Sequence, residues 1–186
     1  QVCLQGITNP ITNSFDPESP QPCHAGMVCD EGTSGEGSQD LCPKGHYCPG
    51  DVNPYPAQPG YYVPGTGFVS PLQCPPGYYT NEIAQTECKL CKEGTYNYRE
   101  AQDFCEICEP GSYCEADSDH VICSLCPEGT YNPNHASTSK NDCIPCPAGF
   151  LCDIEGMENY ITQSKVCPSG YICEGGTNKD NIQLCP

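Results

Sequence analysis

Cysteine is the residue whose number and spacing could carry chemistry in this sequence. The 186 residues include 19 cysteines, and some of these form four Cys-x-x-Cys pairs: Cys88/Cys91, Cys105/Cys108, Cys123/Cys126 and Cys143/Cys146. Pairs of this type can bind a tetrahedral zinc ion, carry out thiol redox chemistry or close structural disulfides. The cysteines outnumber any zinc scheme, and no strand-then-helix pattern follows the pairs, so the sequence favours structural disulfides.

Two acidic clusters offer the oxygen ligands that calcium prefers. They comprise Glu115, Asp117 and Asp119 in the first cluster, and Asp153, Glu155 and Glu158 in the second. Neither cluster has the glycine and the final bidentate glutamate of an EF-hand loop. Solvated acidic loops are therefore the favoured interpretation, calcium binding stays open as the alternative, and no metal site is assigned.

No pattern in the sequence indicates an enzyme. A nucleophile elbow, a phosphate loop and a dinucleotide fingerprint are all absent from it. None of the four histidines accompanies a candidate nucleophile and carboxylate; they are His24, His46, His120 and His135. We expect neither a catalytic activity nor a cofactor.

Most cysteines belong to one repeated phrase, Cys-x-x-Gly-x-(Tyr or aliphatic). Its first cysteines are Cys23, Cys42, Cys74, Cys91, Cys108, Cys126, Cys146 and Cys167. Between Cys42 and Cys74 the same phrase occurs as Ala57-Gln58-Pro59-Gly60-Tyr61-Tyr62, with alanine in place of the first cysteine. Some copies carry an extra cysteine six residues after the first, as in Cys23/Cys29, Cys42/Cys48, Cys146/Cys152 and Cys167/Cys173. Such a period predicts an array in which each repeat contacts mainly its neighbours.

The composition predicts that these repeats share no large core. The chain has no Trp, four Phe, two Met, 19 Gly and 20 Pro. Too few bulky side chains are present to offset the entropy of ordering the backbone, whereas each disulfide contributes about 2–4 kcal/mol. We therefore predict a small disulfide-rich fold, an elongated array of short two-stranded β units and turns, with almost no helix and no single hydrophobic core.

The net charge, the lack of long apolar runs and the possible glycosylation sites indicate which partners the chain can have. A formal net charge of −17 repels nucleic acid and anionic membranes at long range, and no run of 18 apolar residues is present, so we expect no direct membrane insertion. No Asn-x-Ser/Thr sequon occurs. Ser19-Pro20-Gln21-Pro22 and Ala136-Ser137-Thr138-Ser139 are the candidate sites for O-linked glycans.

The repeat resembles that of a known family. The segments that carry the resemblance are Cys74-Pro75-Pro76-Gly77-Tyr78-Tyr79 through Cys88-Lys89-Leu90-Cys91, and Cys126-Pro127-Glu128-Gly129-Thr130-Tyr131 through Cys143-Ile144-Pro145-Cys146. They are similar to the ephrin-receptor-like repeats of the growth-factor-receptor cysteine-rich group, and also to tumour necrosis factor receptor modules. The resemblance implies an extracellular stack of small β units and says little about the ligand.

The resemblance also implies disulfide pairings. In such families the first cysteine of a long-loop repeat bonds to the next cysteine, which implies Cys74–Cys88, Cys91–Cys105 and Cys126–Cys143. The same rule implies Cys108–Cys123, although it leaves Cys114 without a local partner. Cys152–Cys167 and Cys173–Cys185 fit the other repeat type. The pairing of Cys3, Cys23, Cys29, Cys42 and Cys48 stays open.

Three segments are expected along the chain. Residues 1–48 are N-terminal cysteine-rich repeats, residues 49–73 a proline-rich degenerate repeat or joint, and residues 74–186 ephrin-receptor-like repeats. Cys185-Pro186 has the form of another repeat start, so we expect the chain to continue past residue 186.

The repeats and the odd number of cysteines favour a secreted structural protein. It would be a segment of a surface coat, a ciliary or flagellar hair, or a matrix filament, with copies of itself or other extracellular proteins as partners. The alternative is the ectodomain of a cell-surface receptor or adhesion protein that binds a protein ligand.

Overall fold

The chain folds into short β-hairpins. The computed structural model describes residues 24–28, 40–50, 53–117 and 121–186. In these ranges, eighteen strands form nine two-stranded sheets, each between strands adjacent in sequence. The strands are β1 (Met27–Val28), β2 (Asp40–Leu41), β3 (His46–Tyr47), β4 (Tyr55–Pro56), β5 (Tyr61–Tyr62), β6 (Leu72–Gln73), β7 (Tyr78–Tyr79), β8 (Lys89–Leu90), β9 (Thr95–Tyr96), β10 (Glu106–Ile107), β11 (Ser112–Ala116), β12 (Val121–Leu125), β13 (Thr130–Tyr131), β14 (Ile144–Pro145), β15 (Phe150–Leu151), β16 (Lys165–Val166), β17 (Tyr171–Ile172) and β18 (Gln183–Leu184).

Helix is confined to two short segments of the described chain. One is the α-helix α1 (Tyr160–Gln163), and the other is a single 3₁₀ turn, Lys140–Asp142. The α1 helix begins after Asn159, whose side chain accepts a hydrogen bond from the Ile161 amide at 2.9 Å. The predicted fold class, a small disulfide-rich array of β units with almost no helix, is confirmed.

Sulfur fills most of the buried interior. Of the fifteen buried apolar residues in the described chain, eleven are cysteines. The bulky exceptions are Val63, Leu151 and Met157. Met157 packs beside the Cys146–Cys152 pair, and Tyr131, Phe150 and Tyr160 cover this small cluster. Most repeats therefore have a miniature core built around a disulfide.

A ladder of backbone hydrogen bonds connects most successive repeats of the described chain. We number each repeat from its first cysteine, so that the turn glycine is at position four and the residue after the tyrosine is at position seven. The position-four amide donates to the position-seven carbonyl of the next repeat, at 2.7–3.0 Å; the pairs are Gly26/Cys48, Gly45/Val63, Gly60/Thr80, Gly94/Cys114, Gly111/Asn132, Gly129/Cys152 and Gly149/Cys173. In return, the next repeat's position-one amide donates to the glycine carbonyl, as Cys126 does to Gly111.

A second connection runs from the loop of one repeat to the start of the repeat before it. The loop residue is glycine or alanine with a positive φ, as in Ala136 (φ 56°) and Gly156 (φ 69°). Its amide donates to the position-one carbonyl: Ala136 to Cys108 and Gly156 to Cys126, both at 2.8 Å. The repeats are thus joined by main-chain hydrogen bonds, which do not depend on the side chain at each position.

Gly129 shows two reasons for a glycine at position four. Gly129 has a φ of +85°, which favours residues without a Cβ. A Cβ there would also lie 2.6 Å from the carbonyl oxygen of Gly176, two repeats further on. The glycine therefore permits both the turn and the close approach of a later loop.

The chain divides into two compact units. The first contains residues Gln1–Lys89 and Arg99–Phe104, and the second contains Leu90–Tyr98 and Cys105–Pro186. The segment boundaries expected at residues 48 and 73 stay predictions. Among the described residues, no helix has the length and apolar character needed to cross a membrane.

Candidate functional site

The disulfide framework is the candidate functional feature, and position seven decides its form. Where position seven is a cysteine, position one usually bonds to it across six residues, as in Cys42–Cys48, Cys146–Cys152 and Cys167–Cys173. Where position seven is Thr or Asn, position one bonds to a loop cysteine 14 to 17 residues away, as in Cys74–Cys88, Cys91–Cys105 and Cys126–Cys143. The three long-loop bonds are the ones that the family resemblance implied.

The other implied pairings differ from the structure. Cys152 bonds to Cys146 and Cys167 bonds to Cys173, so the Cys152–Cys167 and Cys173–Cys185 pairings are wrong. The reason is local: positions one and seven of a repeat flank its tight glycine turn, which holds their Cα atoms 5.8–6.1 Å apart. The extra cysteine six residues after the first was the sequence signal for these bonds. Cys185 is a free, exposed thiol.

The Cys108–Cys123 pairing is also wrong. Strands β11 and β12 form a five-residue ladder in which Cys114 lies directly opposite Cys123. These two residues form the disulfide, with Cα atoms 4.0 Å apart. Cys108 is left as a buried free thiol. Of the N-terminal set, Cys42 bonds to Cys48, while Cys3, Cys23 and Cys29 lie outside the described residues.

Disulfide-bonded cysteines cannot serve as zinc thiolates. Every Cys-x-x-Cys cysteine except Cys108 is oxidised, which removes the zinc alternative for those residues. In the described ranges, no three His, Cys, Asp or Glu side chains are grouped as metal ligands. Asp153 pairs with Lys165, and Glu115 accepts a hydrogen bond from the Lys140 amide at 3.3 Å. Asp119 and His120 lie outside the described residues.

Buried polar side chains take the place of the position-seven cysteine in the long-loop repeats. Asn132 is fully buried and donates to the Ser112 carbonyl at 3.0 Å and to the Ser137 hydroxyl at 2.7 Å. Thr80 is fully buried, and its hydroxyl accepts a hydrogen bond from the Gly60 amide at 2.9 Å. These side chains join neighbouring repeats by hydrogen bonds. Their repeats still contain a disulfide, because position one bonds to the loop cysteine instead.

One repeat has apolar residues at both positions. Ala57 is at position one and Val63 is at position seven, and both are fully buried. They occupy the positions that Cys42 and Cys48 occupy in the preceding repeat. The sequence identified the missing cysteine at position 57 but not the compensating Val63.

The environment of Cys108 is defined by its own turn. Its Sγ lies 3.2 Å from the Ser112 hydroxyl oxygen, and that hydroxyl also contacts the Glu109 carbonyl at 2.7 Å. Burial raises the pKa of the Cys108 thiol, the Ser112 hydrogen bond lowers it, and the Glu109 carboxylate raises it. The thiol is therefore largely protonated at neutral pH, which makes it a weak nucleophile.

A cavity of about 290 Å³ lies beside the Cys114–Cys123 disulfide. Tyr96 and Tyr98 form one wall, with ring centroids 4.8 Å apart. Burial raises the pKa of Tyr96, and its hydrogen bond to Glu106 raises it further. The remaining lining residues are Glu109, Ser112, Cys114, Cys123, Ser124 and Leu125.

The predicted glycan and histidine positions are largely at the surface. In the Ala136–Ser139 segment, Ser137 is buried against Asn132, while Thr138 is exposed. Residues 19–22 lie outside the described ranges. His135 is exposed, with its Nδ1 3.4 Å from a Glu109 carboxylate oxygen.

Comparison with known proteins identifies part of the chain. Residues 94–143 match a protein-family model described as tyrosine-protein kinase ephrin type A/B receptor-like. No curated protein matches the chain. The match covers the repeats that contain Cys108 and Cys126, and it includes the Cys114–Cys123 disulfide. These features are compatible with an extracellular location. Residues 94–143 are therefore an ephrin-receptor-like cysteine-rich segment, as the sequence indicated.

Proposed function

We propose that the chain is an extracellular structural repeat protein that associates with copies of itself in a coat or filament. The observation that carries this proposal is the main-chain ladder, in which the same donors and acceptors join successive repeats at seven junctions of the described chain. Because these groups belong to the backbone, a repeat whose ladder donors and acceptors are not used within its own chain can bond to a repeat of another chain in the same way. The proposal assigns no catalytic activity to the chain.

The high negative charge sets a condition for association. At −17, copies repel one another at low ionic strength. The Debye length falls from about 30 Å at 0.01 M salt to about 3 Å at 1 M. Association should therefore strengthen as salt is added.

Sedimentation and electron microscopy test this proposal. We expect the purified oxidised protein to be small at low salt, about 0.01 M, and to form regular filaments or sheets when the salt approaches about 1 M. A protein that stays monodisperse at every salt and protein concentration would contradict self-association. Reduction before the salt step is the control, because it should abolish the repeats and leave only irregular aggregates.

A second candidate function is a receptor or adhesion ectodomain. It is favoured by exposed apolar side chains around the tyrosine-lined cavity: Tyr98 is 64% exposed and Leu125 is 58% exposed. Both lie in the ephrin-receptor-like segment. Such residues fit the apolar centre of a protein interface.

Cell-surface binding of labelled protein distinguishes this candidate. The double variant Tyr98→Ser/Leu125→Ser should lose binding and keep its oligomeric state. Ile161→Ser is a matched control, since Ile161 is 69% exposed in α1, outside this surface. Equal binding by all three proteins would exclude this surface as the ligand site.

A further inference from the structure

The repeat that begins at Cys108 contains one cysteine more than its disulfide uses. It has position one (Cys108), position seven (Cys114) and a loop cysteine (Cys123). In the other described repeats with a cysteine at position one and a complete turn, that cysteine is oxidised, either to position seven or to the loop. Here position seven and the loop cysteine bond to each other, and position one is left as the thiol.

The backbone of this repeat is the same as that of repeats with a position-one to position-seven bond. The Cys114 carbonyl accepts from the Gly94 amide at 2.9 Å, as Cys152 does from Gly129 at 2.8 Å. The Cys108 amide donates to the Gly94 carbonyl at 2.8 Å, as Cys146 does to Gly129. The Cys108 and Cys114 main chains therefore occupy the positions at which Cys146 and Cys152 form a disulfide.

We propose that Cys123 is a latent thiol-modification site, unmasked when the Cys108 thiol exchanges into the Cys114–Cys123 disulfide. The Cys108 thiolate attacks Cys114 Sγ, the Cys114–Cys123 bond breaks, and the Cys108–Cys114 bond forms. Cys123 leaves as a thiolate and takes up a proton equivalent to the one that Cys108 lost. One disulfide replaces another, so the step consumes no oxidant and no reductant.

Solvation determines which cysteine leaves. Cys114 is fully buried, whereas Cys123 is half-buried on the cavity wall. A thiolate is better stabilised where water reaches it, and a better-stabilised thiolate leaves faster. Exchange toward Cys108–Cys114 is thus favoured over exchange toward Cys108–Cys123, which would release a buried Cys114 thiolate.

The exchange places a reactive group in the cavity. The released Cys123 thiol shares that cavity with Tyr96, Tyr98 and Leu125, which offer apolar contact to an incoming reagent. The substrates that fit this chemistry are small disulfides and other thiol-directed electrophiles. This step goes beyond the proposed structural function and does not depend on self-association.

Alkylation of the oxidised, unreduced protein with iodoacetamide tests the proposal. Samples are quenched in acid, digested at low pH to stop disulfide exchange, and mapped by mass spectrometry. The exposed Cys185 thiol should react first and reports that the reagent is active. We then expect slower labelling of Cys123, together with a Cys108–Cys114 linked peptide. An intact Cys114–Cys123 bond after prolonged incubation at mildly alkaline pH, or labelling of Cys114 with a Cys108–Cys123 bond, would overturn the proposal.

Two variants identify the attacking thiol. Cys108→Ser removes the nucleophile and keeps the Cys114–Cys123 bond, so Cys123 labelling should fall at least about tenfold. Cys185→Ser removes the other free thiol and should leave the Cys123 labelling rate unchanged. Labelling that persists in Cys108→Ser, or that disappears in Cys185→Ser, would show that Cys108 is not the attacking group.

Discussion

Two repeats depart from the disulfide rule in opposite directions. The repeat that begins at Ala57 has no cysteine at all, and the repeat that begins at Cys108 has three. Both nevertheless make the same ladder bonds: the Ala57 amide donates to Gly45 at 2.9 Å, and the Cys108 amide donates to Gly94 at 2.8 Å. The main chain of a repeat therefore keeps its hydrogen-bonding pattern when its sulfur chemistry changes.

The difference separates what defines a repeat from what stabilises it. The glycine turn and the ladder are common to both repeats and depend on backbone geometry. The residues at positions one and seven differ between repeats: they form a disulfide, as in Cys42–Cys48, or a buried apolar pair, as in Ala57 and Val63. In the repeat that begins at Cys108, position seven bonds instead to the loop cysteine. All these position-one and position-seven residues are buried, but only a disulfide restricts the unfolded chain.

Crowding the close approach between repeats should have the largest effect on stability. In Gly129→Ala, the left-handed conformation costs about 1–2 kcal/mol and the contact with the Gly176 carbonyl costs about 1–3 kcal/mol more. Gly149→Ala is the matched control: its φ is +87°, and an added Cβ would meet no atom of the described chain within 4 Å. Urea unfolding with intact disulfides should show Gly129→Ala as the less stable variant. Equal losses would mean that the close approach between repeats contributes nothing.

Adding a disulfide to the cysteine-free repeat should stabilise it. The double variant Ala57→Cys/Val63→Cys places cysteines at the positions where Cys42 and Cys48 bond. A loop of this length should contribute about 2 kcal/mol. Two measurements check this: the number of free thiols should equal that of the wild type, because the two new cysteines bond to each other, and the midpoint of urea unfolding should be higher. The Ala57→Ser/Val63→Ser variant controls for the lost apolar contacts, and a bond that fails to form would contradict the equivalence of the two repeats.

Removing a polar position-seven side chain should have a smaller effect. Asn132→Ala leaves the half-buried Ser112 carbonyl and the buried Ser137 hydroxyl without this partner. The expected loss is about 1–2 kcal/mol in the free energy of unfolding. The exposed Asn141→Ala serves as the control and should be neutral. A neutral Asn132→Ala would show that the buried amide contributes nothing to the connection between repeats.

The smallest perturbation is a change of pH. Of the two repeats compared, only the one that begins at Cys108 has a free thiol that a pH change can ionise. Since the pKa of Cys108 is raised by burial, its thiolate is a minor species at neutral pH. The thiolate fraction rises about tenfold for each pH unit below that pKa. Iodoacetamide labelling of Cys123 should accelerate accordingly as the pH rises from neutral to mildly alkaline, and Cys108→Ser should remove this acceleration. A Cys123 labelling rate that does not change with pH, or that accelerates equally in Cys108→Ser, would contradict rate-limiting ionisation of Cys108.

The repeat architecture could be predicted from the sequence because its signals are local. The glycine at position four and the cysteines around it specify the turn, and the scarcity of bulky side chains excludes a large core. The resemblance implied Cys126–Cys143 because one loop cysteine follows its position one. It failed for Cys108, since three cysteines leave several pairings open and the length of the β11–β12 hairpin decides among them.

The ladder itself could not be predicted, because main-chain hydrogen bonds between repeats leave little trace in the side chains. Val63 is an example: it is an ordinary apolar residue in the sequence, and only its burial at the turn that begins with Ala57 shows that it stands at a cysteine position. The same applies to the cavity, where Tyr96 and Leu125 meet although they lie in different hairpins.

Disulfide mapping of the unreduced protein tests the central claim most directly. We expect linked peptides for Cys42–Cys48, Cys74–Cys88, Cys91–Cys105, Cys126–Cys143, Cys146–Cys152 and Cys167–Cys173, with Cys114 bonded to Cys123 or, after exchange, to Cys108. Alkylation of most of these cysteines before any reductant is added would contradict a fold stabilised by sulfur bridges.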